Sequence, residues 1–434
     1  MPSLGPFIKG VAGEYTPDSL RVLKGWGANA VRVFNAEALG STLDMAQVAG
    51  LRVVAGLSWS IKKDLTAEET RMVAIVKKFA SHPALVCWNV GNEQEGGLRD
   101  DQGKVDVFVE KLHRLVKAIK AADPAHAVIY TCIDFGSAKD PPMVKAFRRG
   151  TPLDGIGINT YDGAPSLGTR YAAWKLPVPF IATEIGWRPA MRGRETPWSH
   201  GRKAFHEMAS SDKADHFRAA LANMRANRQC AGVMAFRWGL GGTLATDTWH
   251  MMLTPRNMRT DVADELIFAW TGAYPTVRAP KITSKIRFRT GTGGSTLETG
   301  WRGIVAPSET NELAAGKPVT FRVTAEGKNP LQYRWELREH TVLSNGKVTR
   351  GALVTATSTA SNHVTFTMPP AGIYRLYVYV EDPLARAAGY ASWPFRTTGG
   401  GPSATPSVRI MIAIAVAICI CTTCASSVIM AARR

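Results

Sequence analysis

The sequence predicts an α/β fold class: a (β/α)8 TIM barrel, followed by a small all-β sandwich and a C-terminal transmembrane helix. Three observations lead to this prediction. Strand-like apolar runs recur through residues 1–272, and most are followed by a helical pattern. Past this region the chain changes to short β runs without a helical period. Near the C-terminus, residues 410–432 contain no charged side chain.

The predicted barrel strands are short apolar runs that alternate with helical segments. They cover residues 7–12, 30–34, 51–57, 85–93, 127–132, 153–159, 178–184 and 231–236. The first helix has a clear start, because Thr16-Pro17-Asp18 has the pattern of an N-cap, an N1 proline and a first-turn acid. A later helix is predicted to open at a capping box formed by Thr66 and Glu69.

Eight strands that each pair with a helix are what a closed barrel requires. Open doubly wound sheets usually have fewer strands, and no glycine-rich nucleotide-binding turn follows the first strand here. Residues 1–272 are therefore predicted to form one barrel, with its functional site at the C-terminal ends of the strands.

The remaining chain is predicted to contain four further segments. Residues 273–317 are rich in Gly, Pro, Thr and Arg and are interpreted as a linker, and residues 318–397 as a β-sandwich that acts as a spacer or a sugar-binding accessory. Residues 398–409 have the composition of a flexible linker. The apolar run 410–432 is long enough to span a bilayer.

Two arginines at the C-terminus set the expected topology. Arg433 and Arg434 follow the apolar run directly, which by the positive-inside rule predicts a single-pass protein with its barrel extracellular or lumenal. No signal peptide is visible at the N-terminus, so either the sequence lacks its true beginning or the anchor inserts tail-first, which would leave the barrel in the cytosol.

The composition narrows the classes of partner. A formal net charge of +18 favours attraction to acidic polymers or anionic surfaces. No nucleic-acid-binding motif is present, so no nucleic-acid partner is expected. The six cysteines and nine histidines lack metal-ligand spacing, and neither a metal nor another cofactor is predicted. The sequence does not indicate an oligomeric state.

Two glutamates lie where buried strands end. The run 85–92 leads directly into Glu93, and the run 178–183 leads directly into Glu184. Either glutamate alone would usually be a solvated loop residue. Because both lie at the C-terminal ends of barrel strands, the pair predicts acid and nucleophile chemistry.

The residues around these glutamates resemble two motifs of the clan A glycoside hydrolases, in the manner of families 2 and 5. The motifs are Trp88-Asn89-Val90-Gly91-Asn92-Glu93 and Ile181-Ala182-Thr183-Glu184-Ile185-Gly186-Trp187, and the likeness extends over residues 6–272. The resemblance implies a retaining O-glycosyl hydrolase with Glu93 as acid/base and Glu184 as nucleophile. The C-terminal sandwich resembles PKD or immunoglobulin-like domains.

The same resemblance implies roles for three polar residues. Asn92 would bind the sugar 2-hydroxyl, Arg32 would lie beside the nucleophile, and Tyr161 would orient it. The alternatives are an ordinary turn residue for Asn92 and a rim residue for Tyr161. An ionised side chain within a strand, as at Arg32, otherwise has no explanation.

Three tryptophans are candidates for stacking on a sugar ring. Trp238 follows the eighth strand, where the resemblance implies a sugar platform, and Trp59 and Trp187 are further candidates. Each could instead belong to the hydrophobic core. The loop after Glu184 carries Arg188, Arg192, Arg194, Arg202 and Lys203, which favours either an anionic substrate or a solvated basic loop.

The function predicted from these observations is hydrolysis of β-glycosidic bonds in a polysaccharide, such as a cell-wall polymer or β-glucan. One alternative is a glucan-remodelling transglycosylase that uses the same residues. A second is a catalytically silent carbohydrate-binding surface protein, although the presence of both glutamates argues against it.

Overall fold

Eight parallel strands close into a barrel in sequence order, as predicted. The computed structural model describes residues 4–36, 39–96, 98, 101–134, 136, 142–187, 204–238, 251–290, 302–303, 312–342 and 348–399. The barrel strands are β1 (Ile8–Gly13), β2 (Ala30–Val33), β3 (Arg52–Gly56), β4 (Leu85–Asn92), β5 (Ala127–Ile133), β6 (Gly155–Thr160), β7 (Phe180–Ile185) and β8 (Cys230–Trp238).

Helices surround the barrel and alternate with its strands. They are α1 (Pro17–Gly25), α2 (Leu39–Val48), α3 (Leu65–Phe79), α4 (Gln102–Ala122), α5 (Pro142–Arg148), α6 (Leu167–Trp174), α7 (Ser210–Ala226) and α8 (Asp261–Thr271), with a short 3-10 helix at Ala164–Ser166. The start of α1 is confirmed, with Thr16 as N-cap and a proline in the first turn. The predicted capping box at Thr66 is wrong, because the Asp64 side chain accepts from the Ala67 N–H and α3 begins earlier.

The side chains inside the barrel change from apolar to polar toward the C-terminal ends of the strands. One core cluster comes almost entirely from strand residues and fills the barrel interior, including Ile8, Ala30, Val54, Ile129, Ile181 and Met234. Nearer the C-terminal ends the side chains are polar. Thr131 donates to Asn89 at 3.1 Å and to Thr183 at 3.3 Å, so the polar layer crosses several strands.

The chain after the barrel forms additional β sheets, which confirms a β domain behind the barrel. Its strands are β10 (Lys281–Ile282), β11 (Arg287–Thr290), β12 (Arg302–Gly303), β13 (Glu312–Ala314), β14 (Pro318–Arg322), β15 (Ala325–Glu326), β16 (Gln332–Val342), β17 (Val348–Thr359), β18 (His363–Thr367), β19 (Gly372–Asp382) and β20 (Ala387–Thr398). Strands β10 to β13 lie in the segment 273–317 that the sequence analysis assigned to a linker.

Two of the sheets enclose one hydrophobic core. One sheet has the order β12-β11-β14-β18, and the other contains β13-β20-β19-β16-β17. Phe321 from the first sheet packs against Trp393 from the second, with ring centroids 5.9 Å apart. We call residues 281–398 the β region.

The β region is joined directly to the barrel. A short strand before α8, β9 (Arg259–Thr260), pairs in parallel with β20, with Arg259 opposite Ala387 and Thr260 opposite Ala388. The β region therefore shares main-chain hydrogen bonds with a barrel loop.

The predicted transmembrane segment 410–432 lies outside the described residues. Among the helices that the structure describes, none combines the length and the apolar character needed to cross a membrane.

Candidate active site

The two predicted catalytic glutamates both lie at the C-terminal end of the barrel. Glu184 is in β7, and Glu93 directly follows the last residue of β4. The backbone of Glu93 has a φ of 54°, a left-handed conformation that few non-glycine residues adopt. Its N–H donates to the Thr131 carbonyl on β5 at 2.9 Å, which fixes the turn that carries the carboxyl group.

Glu184 is buried, and both of its carboxylate oxygens have protein donors. Nη1 of Arg32 lies 2.9 Å from Oε1, and the Tyr161 hydroxyl donates to Oε2 at 2.6 Å. Burial raises the pKa of Glu184, Arg32 and Tyr161 lower it, and Glu93 raises it; the net direction is upward. The two donors therefore stabilise an ionised carboxylate that burial disfavours.

Tyr161 remains a hydrogen-bond donor in this arrangement. Burial and the charge of Glu184 hold the pKa of Tyr161 well above its ordinary value of 10. The hydroxyl therefore keeps its proton at neutral pH and continues to donate to the carboxylate. Tyr161 therefore lies beside Glu184, and its role in orienting a nucleophile there stays a prediction.

Arg32 is fully buried and contacts both glutamate-bearing strands. Nη1 also contacts the Thr183 carbonyl at 3.2 Å, and Nη2 donates to Oδ1 of Asn92 at 2.6 Å. The planar guanidinium can supply these donors at fixed angles, which an ammonium group cannot. Arg32 thereby connects the position before Glu93 to the position of Glu184.

Asn159 at the end of β6 belongs to the site but was missed as a site residue. Its Nδ2 donates to Oε1 of Glu93 at 2.8 Å and to Oδ1 of Asn92 at 3.1 Å. Its Oδ1 accepts from Nη1 of Arg32 at 3.3 Å and from the Thr183 hydroxyl at 2.9 Å. Its position at the last residue of the predicted sixth strand was the available signal.

The side-chain oxygen of Asn92 is occupied by two donors, Arg32 and Asn159. These contacts orient the amide so that its Nδ2 points away from them. Within the ranges that the structure describes, that nitrogen has no hydrogen-bond partner.

The three predicted tryptophans lie in different surroundings. Trp238 is 5% exposed and packs edge-on against Trp26 at 5.4 Å, within the outer core of the barrel. Trp59 is also in that core, where its ring stacks on Phe108 and its Nε1 lies 3.3 Å from the Val90 carbonyl. Both rings therefore pack in the hydrophobic core, as the alternative interpretation of these tryptophans expects.

Trp187 lies closer to the site. Its ring packs edge-on against His216 at 5.0 Å, and Nε2 of His216 lies 2.9 Å from the Tyr161 carbonyl. Burial lowers the pKa of His216, which favours its neutral form. Trp187 therefore contacts His216, and His216 contacts the backbone of Tyr161, which binds Glu184.

Two phenylalanines lie next to the polar residues that bind Glu184. Phe236 of β8 lies edge-on to Tyr161 at 6.2 Å and to Phe34 at 6.3 Å. The Phe34 ring in turn lies 4.7 Å from the guanidinium carbon of Arg32. Phe34 and Phe236 therefore supply an apolar surface next to Tyr161 and Arg32, the two residues that bind Glu184, and the sequence analysis did not identify it.

A third carboxylate lies behind Glu93. Glu95 is fully buried, and it accepts from the Tyr130 hydroxyl and, at 2.8 Å, from the Ile133 N–H. Tyr130 also accepts from the Gln94 N–H at 2.8 Å. Burial, the main cause, raises the pKa of Glu95 to about 7. Glu95 therefore anchors the Glu93 turn to β5.

Within the described ranges, no group of three His, Cys, Asp or Glu side chains is arranged to hold a metal ion. The basic loop from Arg188 to Lys203, which raised the question of an anionic substrate, lies outside the described residues. Cys87, Cys132 and Cys230 are buried free thiols.

Among the comparisons with known proteins, only the comparison with solved structures found similar proteins. No protein-family model matches the sequence, and no curated protein matches it. The chain is similar to Bacteroides uniformis β-glucuronidase 2 covalently bound to cyclophellitol-6-carboxylate aziridine, with 12% identity, a TM-score of 0.47, and coverage of 90% of this chain and 46% of that one. For Bifidobacterium dentium β-glucuronidase complexed with coumarin-3-O-glucuronide, the identity is 17%, the TM-score 0.47, and the coverage 62% and 47%.

A third similar structure is the endo-β-1,4-mannanase from Thermotoga petrophila, with 10% identity, a TM-score of 0.44, and coverage of 91% of this chain and 98% of that one. The chain spans about half the length of the two β-glucuronidases. Similarities at this level assign no activity to this chain.

Proposed function

We propose that the protein is a retaining glycosidase that hydrolyses β-glycosidic bonds in a polysaccharide. The observation that carries the proposal is the connected pair of glutamates at one end of a closed barrel. Arg32 contacts Glu184 directly, and Asn159 contacts both Arg32 and Glu93. Retaining glycosidases use two carboxyl groups about 5–5.5 Å apart on either side of the scissile bond.

In the proposed first step, a carboxylate oxygen of Glu184 attacks the anomeric carbon. Glu93 gives its proton to the departing glycosidic oxygen, and a covalent glycosyl ester forms on Glu184. Arg32 and Tyr161 support the ionised carboxylate before the attack, through their contacts of 2.9 and 2.6 Å. The Nδ2 of Asn92 binds the 2-hydroxyl of the reacting sugar.

In the proposed second step, Glu93 acts as a base. It removes a proton from water, and the hydroxide attacks the same anomeric carbon and releases Glu184. Two inversions at one carbon leave the product with the configuration of the substrate. A sugar hydroxyl in place of water would give transglycosylation by the same residues.

The proposed function is tested by incubating the full chain with a panel of β-glucans, mannans, galactans and anionic polysaccharides. We expect sugar release from one polymer class, and loss of that release in Glu184→Ala. Products longer than the substrate would indicate transglycosylation. Polymer binding without turnover by the unmodified protein would instead identify a binding protein and contradict the enzymatic proposal.

We also propose that residues 410–432 form a single-pass membrane anchor with the barrel outside the cytoplasm. The uncharged run and the following Arg433 and Arg434 support this. Alkaline extraction should leave the full chain in the membrane fraction, and protease added from the cytoplasmic side should spare the barrel. Release into the soluble fraction would contradict the anchor.

A further inference from the structure

We propose that the β region forms part of the active-site scaffold, and that Arg375 on β19 is a positioning residue for Glu184. It acts through Phe205, in the segment between β7 and α7. The role assigned to Glu184 comes from the proposed function, whereas the contacts themselves do not depend on it.

Arg375 is almost completely buried, with 1% of its surface exposed. Its Nη2 donates to the Phe205 carbonyl at 2.7 Å, and its Nη1 donates to the Ser392 hydroxyl at 3.1 Å. Among the described residues, no carboxylate lies within ion-pair distance of this guanidinium. A buried cation without a counter-charge is costly, so its presence favours a role beyond stability.

Phe205 is also almost completely buried. Its side chain packs against Tyr161 and Phe236. The hydroxyl of Tyr161 then donates to Oε2 of Glu184 at 2.6 Å. Three successive contacts therefore connect Arg375 of the β region to the predicted nucleophile of the barrel.

The same barrel segment is held by the β region at further positions. The Ser210 hydroxyl accepts from the Tyr390 N–H at 2.9 Å, and the Ser211 hydroxyl accepts from the Ile282 N–H at 2.8 Å. The Lys213 ammonium lies 5.1 Å from the centre of the Tyr390 ring. We call residues 205–213 the clamped segment.

These contacts predict what the loss of Arg375 does. Without its donor, the Phe205 carbonyl is released and the ring supporting Tyr161 is less constrained. The Tyr161–Glu184 hydrogen bond then weakens. Within the described part of the chain, the charged and titratable groups that face Glu184 are Arg32, Tyr161 and Glu93, and the Tyr161 bond is one that lowers the pKa of Glu184. Its loss therefore moves that pKa upward.

The test compares Arg375→Met with Arg256→Met in the full chain. Methionine keeps an unbranched apolar stem in place of the arginine stem and leaves no buried charge, so the fold should survive the first change. Arg256 also links the barrel to β19, through Glu381 at 2.9 Å, but it is not in contact with Phe205. It is therefore a matched control for a general loss of contact with the β region. Arg375→Lys replaces Arg375→Met if the methionine variant does not fold.

Two quantities are measured, and the first can be measured even if the protein shows no enzymatic turnover. Amide hydrogen exchange at residues 205–209 should speed up in Arg375→Met and stay unchanged in Arg256→Met. The acid limb of the kcat/KM pH profile should move upward in Arg375→Met alone, by about half to one pH unit, which corresponds to a threefold to tenfold change in the ionisation constant. In a Tyr161→Phe background, Arg375→Met should add no further shift.

Unchanged exchange at residues 205–209, or faster exchange with an unmoved acid limb, would overturn the proposal. If the unmodified protein shows no turnover, the glycosidase proposal fails by itself. The titration of the Glu184 carboxyl, followed by NMR in both variants, then replaces the pH profile. An equal Glu184 titration in Arg375→Met and the unmodified protein would overturn the positioning role.

Discussion

Nδ2 of Asn159 lies 2.8 Å from Oε1 of Glu93 and orients the predicted acid/base. The other end of the same amide accepts from Arg32, which holds Glu184. The uncharged Asn159 side chain therefore contacts the predicted acid/base directly, and it is connected to Glu184, the predicted nucleophile, through Arg32. Removing it should affect protonation of the leaving group more than binding.

The first prediction concerns Asn159→Ala. We expect kcat/KM to fall by about 10- to 100-fold on an unactivated substrate, because a misplaced general acid loses much of its contribution. An aryl glycoside with a strongly acidic phenol should lose less, because its leaving group needs no proton. Asn329→Ala removes an amide that binds Asp382 in the β region and is the control. Equal losses on both substrates would contradict the assigned role.

The second prediction concerns Arg32→Lys, which keeps the charge but removes the forked geometry. A lysine cannot contact both Glu184 and Asn92 as the guanidinium does at 2.9 and 2.6 Å. Losing a hydrogen bond to a charged group costs about 1.5–3 kcal/mol, so kcat should fall about 10- to 100-fold. The Arg32 hydrogen bond is one of the contacts that lower the pKa of Glu184, so its loss should also move the acid limb of the pH profile upward, while the retained positive charge limits the shift. Unchanged kinetics in a folded variant would contradict this.

The third prediction concerns the pH dependence of stability through Glu95. Its pKa is raised from the ordinary value of 4.5 to about 7 in the folded protein. As the pH rises, the unfolded chain ionises first, so the stability contributed by protonated Glu95 is complete below pH 4.5 and is lost as the pH passes through about 7.

Glutamine cannot ionise, so Glu95→Gln should remove this loss. The two proteins should be unfolded with urea at a series of pH values. The free energy of unfolding of Glu95→Gln should rise relative to that of the unmodified protein as the pH increases from the unfolded-state pKa to the folded-state pKa of Glu95. The gain should approach about 3 kcal/mol and then level off. A difference that stays constant across this range would argue against a carboxyl kept protonated by burial.

The fourth prediction separates Phe236 from Trp238. Trp238→Ala should cost about 3–5 kcal/mol of stability, because it empties a packed site against Trp26, and should leave the KM of the surviving enzyme nearly unchanged. Phe236→Ala should raise KM and lower kcat, because its ring lies against Tyr161 and beside Phe34. A larger effect on KM from Trp238→Ala would instead support Trp238 as the sugar platform.

The barrel and its glutamates could be predicted because their signals are local. Strand periodicity places residues at strand ends, and barrel topology places those ends together. Arg32 was identifiable for a similar reason, since a charged residue within an apolar strand requires a buried partner. Asn159 carries the same strand-end signal as the glutamates, but an uncharged amide at the end of a strand has the pattern of an ordinary turn residue.

The surroundings of Trp238 depend on strand register, which the sequence does not reveal. Ala12 of β1 pairs with Phe236, and the next residue, Gly13, pairs with Trp238, so the register shifts by one residue at this point. Such a shift changes which face of the strand a side chain occupies. The contact of Arg375 with Phe205 joins residues far apart in sequence, and no local pattern indicates it.

The central claim is that Glu184 becomes covalently attached to the sugar. The most direct measurement treats the protein with a 2-deoxy-2-fluoro glycoside of the configuration found in its polymer substrate, carrying a strongly acidic phenol. Fluorine slows both steps through the oxocarbenium-like transition state, and the good leaving group lets the intermediate accumulate. Peptide mass mapping should find one sugar on the peptide containing Glu184 and none in Glu184→Ala. A label on another residue, or a product with inverted anomeric configuration, would contradict the account.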